Sequence, residues 1–133
     1  MQTQIFVNLP VKNLLKSILF FTKLGYTFNP KFTNDTATCM IISDTIFVML
    51  LEEDVFKNFT KKPLADAFNI TEAIICISVE SKIKVDEIIK KALAEGGTSC
   101  NKKQDHGFMY AHGFEDLDGH LWEVMWLNPD ADL

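Results

Sequence analysis

The sequence predicts an α+β protein built from two βαβββ modules, and three observations predict it. Each half reads as a strand, a helix and then three further strands. Residues also repeat between the halves: Leu9 and Val11 match Ile77 and Val79, and Asp44, Phe47 and Leu50 match Asp118, Leu121 and Val124. The second set is spaced more widely than the first, which places the extra residues in loops, where length is tolerated. Finally, a four-strand unit with a single helix can cover only one face of its sheet. Two such units can enclose a cavity between their sheets or pack them together.

The elements follow in order. Ile5 to Val11 (IFVNLPV) is apolar enough for a strand, ended by Pro10 and Lys12. Asn13 caps a helix whose apolar positions are Leu14, Leu15, Ile18, Leu19, Phe21 and Leu24, and Gly25 stops it. Tyr26 to Thr33 is extended, Asn34-Asp35 turns, and Thr36 to Ile42 is a strand. Ser43-Asp44-Thr45 turns again into the strand Ile46 to Leu51, and Glu52 to Phe59 forms a short helix or turn. Residues 61–70, with Pro63, are the least regular and join module 1–60 to module 71–129 within a single domain. The second module begins with a strand from Ala73 to Glu80. Ser81 leads into a helix through Val85, Ile88, Ile89, Ala92 and Leu93, stopped by Gly96-Gly97. Thr98 to Lys103 is short and extended, and Gly107 to Phe114 pairs with His120 to Leu127 as a hairpin. The acidic tail after Pro129 is expected to fray.

At 133 residues the chain is long enough for one domain with a real core, and 47% hydrophobic with 23% charged residues is ordinary for a globular protein. A net charge of −5 argues against nucleic-acid binding, which needs clustered Lys and Arg; it suits solubility or a cationic ligand. No run approaches a membrane span, and Met1 to Gln4 lacks the basic residue of a secretion signal. Cys39, Cys76 and Cys100 have no metal spacing, and an odd count without such a signal reads as reduced thiols in the cytoplasm.

The chemistry concentrates in Gln104 to Trp126, QDHGFMYAHGFEDLDGHLWEVMW. All three histidines, His106, His112 and His120, lie there, and Asp118-Gly119 marks the hairpin turn. Glu123 stands among Leu121, Trp122, Val124, Met125 and Trp126. A carboxylate in an apolar strand needs a partner, a metal or a proton. The plainer alternative is that a backbone group or Tyr110 satisfies it.

FVNLPVKNLLKSILFFTKLGY at 6–26, ICISVES at 75–81 and FEDLDGHLWEVMW at 114–126 resemble the vicinal oxygen chelate superfamily, which includes glyoxalase I, extradiol dioxygenases, and fosfomycin and bleomycin resistance proteins. The narrower resemblance is to its glyoxalase-like, lactoylglutathione lyase-related subgroup. It implies a curved, cup-shaped mixed sheet with helices outside and a metal in the cup. The metal-ligand positions it implies fall on Phe6, Met49, Ile74 and Glu123, so only the glutamate is retained. A catalytic divalent ion needs about three His, Asp or Glu ligands, so no cofactor is expected. A rebuilt site holding Zn, Ni, Mn or Fe on Glu123 and nearby histidines is the alternative. The resemblance also implies a homodimer, for which open sheet edges give a physical reason.

Within that cup, strand parity puts Leu121, Glu123 and Met125 on one face and His120, Trp122 and Val124 on the other. His106 and Tyr110 or His112 are better placed than His120 to reach Glu123. Asn8 shares the parity of Phe6, and Cys76 that of Ile74. Phe6, Asn8, Met49, Ile74, Cys76, Phe108 and Met125 are therefore the candidate ligand-binding residues. The leading expectation is an apolar cup binding a small organic molecule, with Glu123 as base and His106 or Tyr110 as hydrogen-bond donor. The competing expectations are a non-catalytic sequestering module of the bleomycin-resistance type and a metal-dependent lyase or dioxygenase with a rearranged site.

Overall fold

Both long helices begin and end on groups that the sequence supplies locally. In the computed structural model, which describes residues 1–131, helix α1 (Leu14–Lys23) starts where the Asn13 side chain accepts the Lys16 N–H at 3.0 Å. Glu52 adds a second acceptor, taking the Leu14 N–H at 3.0 Å. The helix ends in a paired closure, Tyr26 N–H to the Phe21 carbonyl and Gly25 N–H to that of Thr22, which requires the positive φ of 106° at Gly25. Helix α3 (Lys82–Ala94) repeats the device, with Ser81 accepting from Lys84 and Gly97 N–H closing onto Ala92.

The chain divides into two compact units, Met1–Ala65 and Asp66–Leu133, and the division falls inside the 61–70 connection. The first unit holds strands β1 (Ile5–Val11), β2 (Thr27–Phe28), β3 (Ala37–Ile41) and β4 (Ile46–Glu52), followed by a one-turn helix α2 (Glu53–Phe56). Its sheet order is β1-β4-β3-β2, with β1 parallel to β4 and the other pairs antiparallel. The second unit holds β5 (Ile74–Ser78), β6 (Thr98–Ser99), β7 (Gln104–Asp105), β8 (Met109–Glu115) and β9 (Leu121–Leu127). Its order, β5-β9-β8-β6, has the same pattern, with β7 as an extra strand on β8.

The registers carry the internal repeat residue by residue. Phe6 lies opposite Phe47 as Ile74 lies opposite Leu121, and Leu9 opposite Leu50 as Ile77 opposite Val124. One face of each sheet is core. In the first unit Val48, Leu50, Met40 and Thr38 are buried together with Leu14, Phe20 and Phe21 of α1. In the second, Trp122, Val124, Phe114 and Tyr110 are buried with Val85, Ile88 and Ile89 of α3, and the Phe114 and Trp122 rings stack at 6.3 Å. The opposite faces are more open: Phe6 is 49% and Ile74 57% exposed.

Three expectations change. Not every apolar helix position is buried: Leu15 and Leu19 are exposed on α1, which buries Leu14, Ser17, Phe20 and Phe21, and Leu93 is exposed on α3, which buries Val85, Ile88, Ile89 and Ala92. Tyr26 to Thr33 is not all extended: Asn29 accepts the Lys31 N–H and starts a 3-10 turn at Pro30–Phe32. The tail at 129–131 turns back, with Ala131 N–H on the Asn128 carbonyl, while Asp132 and Leu133 of the expected frayed tail lie outside the described residues. Among the described residues no helix is long and apolar enough to cross a membrane.

Candidate functional site on the second sheet

Glu123 sits at the centre of β9, opposite Cys76 of β5 on one side and Gly113 of β8 on the other. One row away, Leu121 is flanked by Ile74 and Glu115; one row the other way, Met125 is flanked by Ser78 and Ala111. Directly opposed residues point to the same face. Glu123, Cys76, Ile74, Leu121, Glu115 and Met125 therefore share the face that α3 does not cover. Glu123 is half-buried, and among the described residues of its own unit its carboxylate accepts no hydrogen bond and joins no ion pair. Neither a backbone group nor Tyr110 satisfies it.

Beside Glu123 the sheet departs from regular pairing. β6 pairs with Phe114 and Glu115, β7 with Tyr110 and Ala111, and residues 100–103 bulge past His112 and Gly113. Asn101 stands in for the missing strand. Its Oδ1 accepts the Gly113 N–H at 3.0 Å, and its carbonyl accepts from His112 Nε2 at 3.1 Å. Gly113 gives this loop room: a Cβ there would lie 3.0 Å from Cys100 Sγ and from the Trp122 carbonyl and 3.2 Å from Asn101 Nδ2, so the neighbours would have to shift. The result is a pocket of about 370 Å³. Ile74 and Leu121 form its apolar wall, Ser99, Cys100 and Asn101 its loop wall, and Glu115 and Glu123 supply two carboxylates.

The thiols here are held protonated. Burial pushes the Cys76 thiol up and the charge of Glu123 adds to it; burial, then Glu115 and Glu123, do the same at Cys100. Protonated thiols are poor nucleophiles.

The hairpin turn that sets Glu115 against Leu121 is organised by Asp116, which is 3% exposed. Its Oδ1 accepts the Asp118 and His120 N–H groups at 2.9 and 3.0 Å, and its Oδ2 accepts the Trp122 indole N–H at 2.9 Å. Burial pushes its pKa up, while His120 and these donors pull the other way. From the sequence, Asp116 is a turn residue beside Asp118 and Gly119, with nothing local to mark its buried acceptor role.

The remaining candidates lie elsewhere, and two placements are corrections. Tyr110 is on the α3 side of the sheet, its hydroxyl donating to Asp86 at 2.6 Å, so the sheet itself separates it from Glu123. That bond, more than burial, raises its pKa. His106 lies in the β7–β8 turn with its ring against Phe108 and its N–H on the Met109 carbonyl. Met109 is four residues along β8 from Gly113, roughly 13 Å at ~3.3 Å per residue, which carries His106 and Phe108 away from the pocket. His112 is engaged by Asn101, and the His120 backbone by Asp116. Phe6, Asn8 and Met49 belong to the first sheet, where Phe6 stacks on Phe47 at 4.9 Å and Asn8 lies opposite Met49. Asn101 falls in Thr98 to Lys103, which the sequence marks only as extended; the strand ends at Ser99, and no local signal singles Asn101 out.

No family model and no curated protein matches the sequence. Solved structures do match. The chain is 26% identical to a hypothetical protein, SA1046, from S. aureus, over 95% of each chain with a TM-score of 0.79. It superposes on a glyoxalase-related enzyme from Fulvimarina pelagi with a TM-score of 0.80 at 17% identity, covering 97% of this chain and 90% of that one. The fosfomycin resistance protein FosX from Listeria monocytogenes matches at 0.68 and 18% identity, over 98% and 97% of the two chains.

The chain has the vicinal oxygen chelate fold. The residues at the metal-ligand positions implied for this fold do not fit its metal: of Phe6, Met49, Ile74 and Glu123, only the last carries a donor suited to Zn, Ni, Mn or Fe. Among the described residues no three of His, Cys, Asp and Glu gather where they could hold an ion.

Proposed function

We propose that this vicinal-oxygen-chelate-fold protein binds a small organic molecule in the pocket of its second sheet, with Glu123 as the side chain that engages it. One observation carries this: the Glu123 carboxylate, flanked by Ile74, Leu121 and Met125, has no partner within its own unit. A half-buried carboxylate that no donor of its own unit reaches is open to a ligand supplying a hydrogen-bond donor. The second carboxylate, Glu115, disfavours anions, so the molecule is neutral or cationic. Proton transfer to Glu123 is the second reading, supported by the same lack of a competing donor. Neither reading routes a step through a metal.

The test is a thermal-shift screen of small organic molecules, followed by calorimetry on wild type and Glu123→Gln. A hydrogen bond to a charged group is worth roughly 1.5–3 kcal/mol, so the variant is expected to bind about 10- to 100-fold more weakly with its unliganded melting temperature unchanged. Equal affinity for every ligand found would overturn the reading.

A further inference from the structure

The Asn101 carboxamide is oriented by its neighbours. Its Oδ1 must face Gly113, because the Gly113 N–H is a donor and only the oxygen can accept it. Its Nδ2 is thereby turned over the Gly113 Cα, 3.2 Å from where a Cβ would be. That direction is the face of the sheet on which Glu123 stands, since Gly113 and Glu123 are directly opposed across β8 and β9. Among the described residues, the two nitrogen-bound protons of Asn101 donate to no protein group, and the Glu123 carboxylate accepts from none within its unit. A donor from the loop beside β8, held over Gly113, and an acceptor on β9 thus line the same pocket. The Cα atoms of Gly113 and Glu123, opposed on β8 and β9, lie ~4.5–5.5 Å apart.

We propose that the pocket recognises a neutral group in which a carbonyl oxygen sits beside a hydrogen-bond donor, as in a primary carboxamide or an α-hydroxycarbonyl. The carbonyl oxygen accepts from Asn101 Nδ2–H and the neighbouring N–H or O–H donates to Glu123. Glu115 in the same pocket rejects the corresponding carboxylate, which would also lack the donor. Asn101 is then a ligand-binding residue, and the absent side chain at Gly113 is what lets it reach the open face.

This inference rests on Glu123 being the ligand-engaging group, and the experiment separates the two. Benzamide, hydroxyacetone, N,N-dimethylbenzamide, benzoate and benzylamine are titrated into 15N-labelled full-length protein, with the Asn101 side-chain NH2 and the Gly113 and Glu123 amides as reporters. Benzamide or hydroxyacetone, or both, is expected to shift all three, moving the Asn101 NH2 protons downfield; which of them does so identifies the donor as N–H or O–H. N,N-dimethylbenzamide and benzoate, which lack the donor, are expected to bind at least tenfold more weakly. Asn101→Asp keeps an acceptor for Gly113 and removes the Nδ2 donor, so it is expected to lose at least tenfold in affinity for the carbonyl probe. If that variant does not fold, the NH2 shift in wild type decides alone. Benzylamine shifting the Glu123 amide while neither carbonyl probe moves the Asn101 NH2 would overturn this proposal and leave the Glu123 reading standing. If no probe, benzylamine included, moves the Glu123 amide, both fall.

Discussion

In the first module Asn8 lies opposite Met49, and Met49 opposite Cys39; in the second the same row holds Cys76, Glu123 and Gly113. The strand order, the parallel pair, the helix caps and the buried face are alike. The difference is confined to the open face and to the loops beside it. Where the first sheet carries Cys39, buried and side-chain-bearing, the second carries a glycine, and the 100–103 bulge fills the space. The turns differ as well: the first closes through backbone bonds from Ile42 and Ser43 to Ile46, the second around the buried Asp116 carboxylate. One framework therefore serves as packing in one copy and as a candidate site in the other, because the ladder constrains the backbone and leaves outward side chains free to vary.

The sharpest way to break this comparison is in the turns. Asp116→Ala leaves two backbone N–H groups and a buried indole N–H without their acceptor, and unsatisfied buried donors cost roughly 1–3 kcal/mol each. The expected loss is about 3 kcal/mol or more in urea unfolding, against under about 0.5 kcal/mol for Asp44→Ala, which is exposed. Equal losses would make the two hairpins equivalent.

The two tyrosines come next, one in each module. Burial pushes Tyr26 up to about 12, while at Tyr110 the bond to Asp86 is the main cause of the rise. A tyrosine whose folded pKa lies above the unfolded value of about 10 holds its proton more tightly when folded, so stability falls as pH rises from about 10 to 12. The Tyr26 share is roughly 2–3 kcal/mol. Phenolate absorbance should stay low in native protein at pH 10, and Asp86→Asn should bring only the Tyr110 transition down. Normal titration of both tyrosines in native protein would contradict the burial described here.

Gly113→Ala should cost about 1–2 kcal/mol, as overpacking does, and should displace Cys100 and Asn101, read as shifted Asn101 NH2 resonances. An unchanged spectrum would show that the bulge does not depend on the missing side chain. Smallest is the open face of the first sheet. Phe6→Ala removes the stack on Phe47 and is expected to cost about 1 kcal/mol. Ile74→Ala, at the equivalent and 57% exposed position, should cost less than about 0.5 kcal/mol.

Much of this framework was legible because it depends on neighbours in sequence. Asn13 and Ser81 cap helices through residues three positions on, Gly25 ends one through its own φ, and the match of Leu9 to Ile77 and Leu50 to Val124 reappears as ladder register. The face of Glu123 followed from period-two parity. What was not legible depends on distant partners. Tyr110 shares a hairpin with Glu123 yet bonds Asp86, and His106 lies near it in sequence but down the strand in space. Leu15 and Leu19 fit the helical pattern, but α1 has more apolar side chains than its sheet contact can bury.

By itself the sequence determined the two-module α+β plan, the helix limits, and an isolated carboxylate at position 123 in an apolar strand. Only the tertiary structure decided what surrounds that carboxylate: an amide from a loop outside the regular ladder, two protonated thiols and a second glutamate. Local rules act through a few covalent bonds and can be read residue by residue. The setting of Asn101 over Gly113 depends on how β6 and β7 meet β8, a long-range fit between backbones that no spacing along the chain records.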